Sequence, residues 1–220
     1  MTLNLIINTA VEPFGFSLAK DGRCLVSIKQ GGDRHFSESM ISMIDQYCRL
    51  YAQGLCDIDS IGVVNGPGSY TGIRIGVSYA KTLAYSLNCP VDGLHSLESL
   101  AVQSISQTSV FAVILSAKPQ HVYFQLFNCV NVINPVSDLV LLHIDDCFNL
   151  LESFKSRLDC FVCSKLPLFD RCSFHHLQFY SVDIDCSRLF VLLNKTLQDV
   201  SDPSVKNLSL NYICQPKIGA

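Results

Sequence analysis

The sequence has no tryptophan, only three methionines and few charged side chains, which make up 16% of its 220 residues. It has no run of lysine or arginine, and its formal net charge is -3, so a basic surface for direct nucleic-acid binding is not expected. Without a long apolar run, or a basic segment ahead of the apolar residues at its start, neither a membrane span nor a signal peptide is predicted. We therefore expect a cytoplasmic protein.

The composition is that of a globular protein. Hydrophobic residues make up 49% of the chain, and its length allows one large domain or two small lobes. The eleven cysteines are odd in number and scattered. Without an export signal we expect them to be reduced thiols, most of them buried.

The first half of the chain predicts three strands, a helix, a strand and a second helix. Asp21-Gly22 is typical of a tight hairpin turn between strands. Apolar residues recur at helical spacing from Phe36 to Tyr51, through Met40, Ile44 and Tyr47. The predicted strands cover residues 3–8, 14–20, 23–29 and 61–65, and the predicted helices cover 36–52 and 71–87.

The second half repeats this order. Strands are predicted at 110–115, 121–128, within 130–142 and at 160–163, and helices at 145–158 and 186–199. A repeated order predicts two related lobes in an α/β fold, each built as strand-strand-strand-helix-strand-helix. We place the lobes at residues 1–104 and 105–220, and the last residues are candidates to pack back on the first lobe.

A glycine-rich loop, NGPGSYTGIRIG, follows the strand at 61–65. It lacks the lysine of a phosphate-binding P-loop, because Ile73 follows Gly72, and its glycines do not have dinucleotide-binding spacing. Two interpretations remain open: a tight strand-to-helix turn, or a helix start that holds an anion. The candidate loop residues are Gly66, Gly68, Ser69, Thr71 and Gly72.

The helix after the loop has a ridge of small residues. Gly72, Gly76, Ala80 and Ala84 recur every four positions, so another helix could approach this ridge closely. The ridge would serve either packing inside the monomer or contact with a partner. Met40 and Met43 on the preceding helix favour a partner.

The motif GPGSYTGIRIG at 66–76, followed by Ala80-Lys81 and by GLHSLESLA at 93–101, resembles the TsaB (YeaZ) family. Arg34-His35, Ser37-Glu38 and the segment Leu210-Asn-Tyr212 are also similar. The resemblance implies a two-lobed fold of the actin/Hsp70/sugar-kinase superfamily, with ribonuclease-H-like lobes. It further implies a non-catalytic subunit of the complex that installs threonylcarbamoyl on N6 of adenosine 37 in tRNAs reading A-starting codons.

The resemblance also implies partners. The catalytic paralogue TsaD would bind the helices at about 36–52 and 71–88, the ATPase TsaE would join that pair, and TsaC would make the substrate. A homodimer through the same helices is possible in isolation, and tRNA would be contacted only indirectly. The residues assigned to the partner surface are His35, Met40, Met43, Ile44, Tyr47, Ile73, Arg74, Gly76, Val77, Ala80, Lys81 and Ala84.

Arg74 lies in the first helical turn, where a cation opposes the helix dipole. It therefore needs either an acidic group of the partner or a buried salt bridge. Lys81 and Tyr85 lie on a more polar stripe and are solvated unless a partner covers them. On this view Ala80→Arg would abolish partner binding and leave the monomer folded.

The residue types also favour a non-catalytic role. ATPases of the resembled superfamily carry acidic residues at the ends of the first strand of each lobe, where this chain has Asn8 and Ser116, and Lys118 stands where the family more often has arginine. Without both carboxylates, magnesium-dependent nucleotide binding should be weak. No two histidines are four residues apart, so the metal motif of TsaD is missing. We expect no cofactor, metal or catalytic residue.

Two alternative functions remain. The first is a zinc site built from Cys160, Cys163, Cys172 and either His175 or His176, although Cys160 and Cys163 would point to opposite faces of a strand. The second is a free-standing kinase or acyltransferase of the same superfamily, which would bind nucleotide between its lobes through Ser69, Thr71 and the glycine amides.

Overall fold

A computed structural model of the chain describes residues 2–31, 36–104, 109–129, 133–154, 158–163, 177–199 and 208, and for residues 37, 38, 161–163, 177, 178 and 195–199 it describes only the backbone. These residues form an α/β fold with two sheets. They divide into two units. Unit 1 contains the described residues up to Ser96 and those from Ile184 onward, and unit 2 contains those from Leu97 to Asp183.

The elements follow one another along the chain in a mixed order. The first half contains β1 (Leu3–Asn8), β2 (Phe14–Lys20), β3 (Arg23–Gln30), α1 (Phe36–Tyr51), a short 3-10 helix (Leu55–Asp57), β4 (Ile58–Gly66), α2 (Tyr70–Leu87), β5 (Val91–His95) and α3 (Ser96–Ala101). The second half contains β6 (Val110–Ser116), β7 (His121–Cys129), β8 (Ile133–Pro135), β9 (Val140–His143), α4 (Ile144–Glu152), β10 (Leu158–Cys163), β11 (Leu177–Ser181), a 3-10 turn (Cys186–Arg188) and α5 (Phe190–Asp199).

The sheet of unit 1 has the strand order β3-β2-β1-β4-β5. β1 is antiparallel to β2 and parallel to β4, and all six of its residues are buried, as expected for a strand covered on both faces. Asp21 and Gly22 have φ values of 50° and 77°, which fits the predicted hairpin turn between β2 and β3. The glycine-rich loop and α2 follow β4, which pairs with the buried strand β1.

The sheet of unit 2 has the strand order β11-β10-β6-β7-β8, and β9 also pairs with β7. β6 is antiparallel to β7 and parallel to β10. Buried side chains from β6, β7, α4 and β10 form its core: Ala112, Ile114, Val122, Phe124, Ile144, Cys147, Leu151, Leu158 and Cys160. Unit 2 thus has its own hydrophobic core.

The predicted fold class is confirmed by the two sheets and their order of elements. Some elements differ from the prediction. The predicted helix 145–158 ends at Glu152, and Leu158 instead begins β10, because pairing with β6 and burial in the core override a local helical pattern. The strands β5 and β11 and the helix α3 were not predicted.

The units also divide differently from the predicted boundary at residues 104 and 105. The first break follows Ser96, and the chain returns to unit 1 at Ile184. Leu193 of α5 packs over Gly62 of β4, with its Cδ1 atom 3.4 Å from the position that a Cβ at Gly62 would take. Ser27 of β3 donates a hydrogen bond to Asp185 over 2.9 Å. The predicted second helix of the second lobe therefore packs on the first sheet.

Among the helices that the structure describes, none is both long and apolar enough to span a membrane.

Candidate functional site: the glycine loop and the helix pair

The glycine loop packs directly on the backbone that follows β1. A side chain at Gly68 would overlap the Ala10 carbonyl oxygen, and one at Gly72 would overlap the Thr9 carbonyl oxygen. Because these neighbours are backbone atoms, they have no rotamer into which they can move. Glycine is therefore required here for close approach between the loop and the end of β1.

Hydrogen bonds within the chain fix the glycine loop against the residues that follow β1. The Ser69 amide donates to the Ala10 carbonyl over 2.7 Å, and the Thr9 hydroxyl donates to the Gly72 carbonyl over 2.6 Å. The Ser69 hydroxyl accepts from the Gly72 amide over 3.2 Å, so Ser69 is the N-cap of α2. These groups serve the strand-to-helix turn, which is the first of the two predicted interpretations. Ser69 and Thr71 are exposed, whereas Gly66 and Gly72 are buried and Gly68 is half-buried.

Asn8 shapes the turn at the end of β1. Its side-chain nitrogen donates to the carbonyls of Val11 and Pro13 over 2.8 and 3.0 Å. Its side-chain oxygen accepts from the amides of Ala10 and Val11, each over 3.2 Å. The residue is fully buried, and both ends of its amide are occupied by backbone groups. Asn8 is therefore a turn-forming residue in this chain.

The small-residue ridge of α2 faces the sheet of its own unit. Gly72, Gly76, Ala80 and Ala84 are all buried, and a side chain at Gly76 would overlap the Thr9 hydroxyl and touch Val63. The prediction that this ridge accepts a partner helix is wrong, because strands β1 and β4 already cover it. Ile73 and Val77 are buried as well, so they too are internal contacts.

The regular apolar face of α1 is also buried within the chain. Met40 and Ile44 are fully buried together with Phe36 and Cys48, which corrects their assignment to the partner surface. Met43 and Tyr47 are half-buried. His35 lies outside the described residues.

A different set of side chains on α1 and α2 reaches the surface. Tyr85 is 81% exposed and Leu50 is 67% exposed. We define the helix-pair surface as the exposed or half-buried residues Ile41, Met43, Tyr47, Leu50, Tyr51, Arg74, Lys81 and Tyr85. The sequence interpretation treated Tyr85 as solvated and missed Leu50. The exposure of both residues could have been predicted from the sequence, because each is a large apolar residue on the polar stripe of an amphipathic helix.

The two helices contact each other through Tyr79. Burial, with a smaller contribution from nearby Cys48 and Asp45 of α1, raises the pKa of Tyr79 to about 12. Asp45 also forms an ion pair with Arg49 at 3.0 Å, one helical turn away. Tyr79 therefore lies between the helices, while Tyr85 on the next turns of α2 reaches solvent.

Arg74 has a local partner. Its guanidinium lies 4.2 Å from the centre of the Tyr70 ring, a cation–π arrangement, and the residue is exposed. The predicted buried salt bridge is therefore wrong. The alternative, an acidic group on a partner, remains a prediction.

Of the predicted zinc ligands, the structure describes only the side chain of Cys160. Cys160 lies in the core of unit 2, where burial, together with Cys147 and Asp159, raises its pKa to about 12, which disfavours the thiolate that binds zinc. The Cys163 side chain and Cys172, His175 and His176 lie outside the described residues. In the part of the chain that the structure covers, no group of three or more ligating side chains could hold a metal ion.

A family model for tRNA N6-adenosine threonylcarbamoyltransferase matches residues 29–151, more than half of the chain. The tRNA threonylcarbamoyladenosine biosynthesis protein TsaB of Bacillus subtilis is 44% identical over 75 residues, which cover 34% of this chain and 33% of that protein. TsaB of Haemophilus influenzae is 27% identical over 122 residues, covering 54% and 51%. The chain thus spans one third to about half of the length of these relatives.

Solved structures have the same fold. YeaZ from Pseudomonas aeruginosa matches with a TM-score of 0.77 and 18% identity over 97% of this chain and all of that one. A second structure, an uncharacterized protein with similarity to the peptidase YeaZ from Pseudomonas aeruginosa, matches with a TM-score of 0.80 and 17% identity over the same shares. The chain is thus similar to TsaB relatives and has the fold of YeaZ, and the family model identifies it as a member of the tRNA N6-adenosine threonylcarbamoyltransferase family.

Proposed function

We propose that the chain is a non-catalytic subunit that binds the catalytic protein TsaD and supports transfer of threonylcarbamoyl to N6 of adenosine 37 in tRNA. The observation that carries this proposal is the helix-pair surface. Tyr85 and Leu50 expose large apolar side chains on the two helices that follow β3 and β4. Exposed aromatic and aliphatic side chains of this kind supply the anchors of protein–protein interfaces.

The chemistry at the end of β1 supports the non-catalytic part of the proposal. A nucleotide-dependent enzyme with this fold needs charged oxygen ligands for magnesium, and the Asn8 amide is neutral and fully engaged with backbone groups. The first turn of α2 likewise uses its Gly72 amide in the Ser69 cap. The loop thus acts as the rigid start of a helix that presents Arg74 and Tyr85.

The proposed interface is apolar with a cationic rim. Tyr47 and Tyr51 of α1 stack with ring centres 6.4 Å apart. The Tyr47 ring also lies 6.0 Å from that of Phe16 in β2, and Leu50 is exposed on the same helix. Arg74 and Lys81 are the cations of α2 in this surface, and the Arg49 charge is already paired with Asp45. The TsaD face is therefore expected to offer an apolar groove with carboxylates near Arg74 and Lys81.

The test is association with TsaD from the same organism, measured by size-exclusion chromatography with light scattering. The variants Leu50→Glu and Tyr85→Glu place a charge on the helix-pair surface. Val191→Glu is the matched control, because Val191 of α5 is also an exposed apolar residue at 59%. We expect a heterodimer with wild type and with Val191→Glu, and at least about tenfold weaker association with the other two.

The same proteins then test the reaction. We expect TsaD, supplied with TsaE and with the adenylate made by TsaC, to modify tRNA only when wild type or Val191→Glu is present. Equal binding of TsaD by wild type, Leu50→Glu and Tyr85→Glu would reject the helix-pair surface. Modification by TsaD alone at the full rate would reject the subunit role.

A further inference from the structure

Two histidines of unit 2 stand side by side at the start of β7 and the end of β9. His121 and His143 are directly opposite in this antiparallel pair. The neighbouring residues are joined by a backbone hydrogen bond, from the Ile144 amide to the Gln120 carbonyl over 2.9 Å. The histidines therefore occupy the adjoining non-hydrogen-bonded position, where opposite side chains come closest. Their ring centres are 5.3 Å apart, and the planes are nearly perpendicular at 85°.

One nitrogen of each ring is already engaged. Nδ1 of His121 lies 3.0 Å from the Pro119 carbonyl oxygen, and because a carbonyl only accepts, this nitrogen carries the hydrogen. Nδ1 of His143 accepts a hydrogen bond from the Asp145 amide over 3.4 Å, and it lies 3.3 Å from a carboxylate oxygen of the same residue. In both rings Nε2 is the nitrogen left for another contact.

From this geometry we propose that His121 and His143 form a two-imidazole site for a borderline divalent transition-metal cation, such as Ni²⁺ or Zn²⁺. A metal-bound histidine typically donates its other N–H to a carbonyl or carboxylate, which orients the ring. The Pro119 carbonyl and the Asp145 carboxylate are in that position. A cation on Nε2 of His143 requires the tautomer whose Nδ1–H donates to the Asp145 carboxylate, so Nδ1 gives up the hydrogen bond that it accepts from the Asp145 amide in the metal-free structure.

The ring spacing suits this coordination. Two imidazoles bound to one tetrahedral ion at about 2.1 Å have ring centres about 5 Å apart, close to the 5.3 Å observed here. Asp145 and Asp146 lie in the first turn of α4 and are both exposed, which favours a cation nearby. Asp145 contacts Nδ1 of His143, so it orients the ring and is not a ligand itself. This agrees with the lack of a group of three ligating side chains among the described residues. Water or another molecule would complete the coordination.

The test uses the full chain, stripped with a chelator and titrated with Ni²⁺ by calorimetry. Nickel is preferred because imidazole suits it, whereas thiolates elsewhere in the chain select softer ions. The variants are His121→Gln and His143→Asn, and asparagine retains the N-cap that His143 provides for α4. The double variant His175→Gln/His176→Gln is the control for the other histidine pair in the sequence.

We expect wild type and the control to bind Ni²⁺ with the same affinity, and each of the two single variants to bind at least about tenfold more weakly. Nickel should also raise the midpoint of thermal unfolding of wild type and of the control, because the two imidazoles are held side by side only in the folded pair of strands. Wild type that fails to bind would overturn the site, as would either single variant binding like wild type. Neither result bears on TsaD binding, because this site is independent of the helix-pair surface.

Discussion

The hydroxyl of Thr9 donates a hydrogen bond to the carbonyl oxygen of Gly72 over 2.6 Å, across 63 residues of sequence. This bond joins the end of the central strand β1 to the first turn of α2. Both residues are buried, so a donor or acceptor left alone here would lose its hydrogen bond to water as well. The direction in which α2 leaves the sheet therefore depends on this contact.

Gly72→Ala should destabilise the fold by about 2–3 kcal/mol, at the upper end for an overpacked site. The added methyl group would overlap the Thr9 carbonyl oxygen, which is a backbone atom. Gly31→Ala is the control, since no atom of the described residues lies within 4 Å of its added methyl group, and it should change the free energy of unfolding by less than about 0.5 kcal/mol. Urea denaturation followed by circular dichroism measures both. Equal stability of the two variants would contradict the close packing.

Ala80→Arg should unfold the chain or cost more than about 3 kcal/mol, because it places an unpaired charge in the buried face of α2. This expectation replaces the earlier one of a folded monomer with impaired binding, since Ala80 has no exposed surface. Tyr85→Arg on the same helix should change stability by less than about 0.5 kcal/mol, because Tyr85 is 81% exposed. Thermal unfolding measures the stability of the two variants. Equal stability of Ala80→Arg and Tyr85→Arg would contradict the inward orientation of Ala80.

Asp185 should make stability depend on pH below about 4. Burial by itself would raise the pKa of Asp185, but hydrogen bonds from Ser187, Ser27 and Lys29 outweigh it and hold the pKa at about 2. Because the folded pKa lies below the unfolded value of about 3.9, the contribution is fully present above pH 4. It is lost as the pH falls towards 2.

Asp185→Asn should therefore lower the free energy of unfolding by about 1–2 kcal/mol at pH 7, and this difference should shrink as the pH falls from 4 to 2. Urea denaturation of wild type and variant at several pH values measures it. Asp138→Asn, an exposed aspartate of unit 2, is the control and should match wild type at pH 7. A wild-type–Asp185→Asn difference that stays constant down to pH 2 would contradict the assigned hydrogen bonds.

The cysteines should differ in their rates of alkylation. Cys24, Cys56 and Cys129 are exposed, whereas Cys147 and Cys160 are buried in the core of unit 2. Burial raises the pKa of Cys147 and of Cys160 to about 12, so their thiols stay protonated and unreactive at neutral pH. Brief treatment with N-ethylmaleimide and peptide mapping by mass spectrometry should label Cys56 and Cys129 first. Labelling of Cys147 as fast as Cys129 would contradict the packing of α4 on β10.

The α/β class and most elements of the first half were predictable because their signals are local. The strand at 3–8 is a continuous apolar run, and the helix at 36–52 has apolar residues at helical spacing. Helix α2 begins at Tyr70, one residue before the predicted start. The start of this helix was predictable because the Ser69 cap is also a local signal. The family resemblance likewise depended on contiguous motifs from Gly66 to Ala101.

The sequence by itself determined the order of the elements from β1 to α2, the capped loop and the amphipathic pattern of α1, because each depends on residues close together in the sequence. Only the tertiary structure decided which side of α2 faces inward, since small residues at Gly76 and Ala80 suit a sheet as well as a partner helix. It likewise assigned α5 to unit 1 through Leu193 over Gly62. Such contacts join distant parts of the chain, and their pairing is set by how well the surfaces pack together.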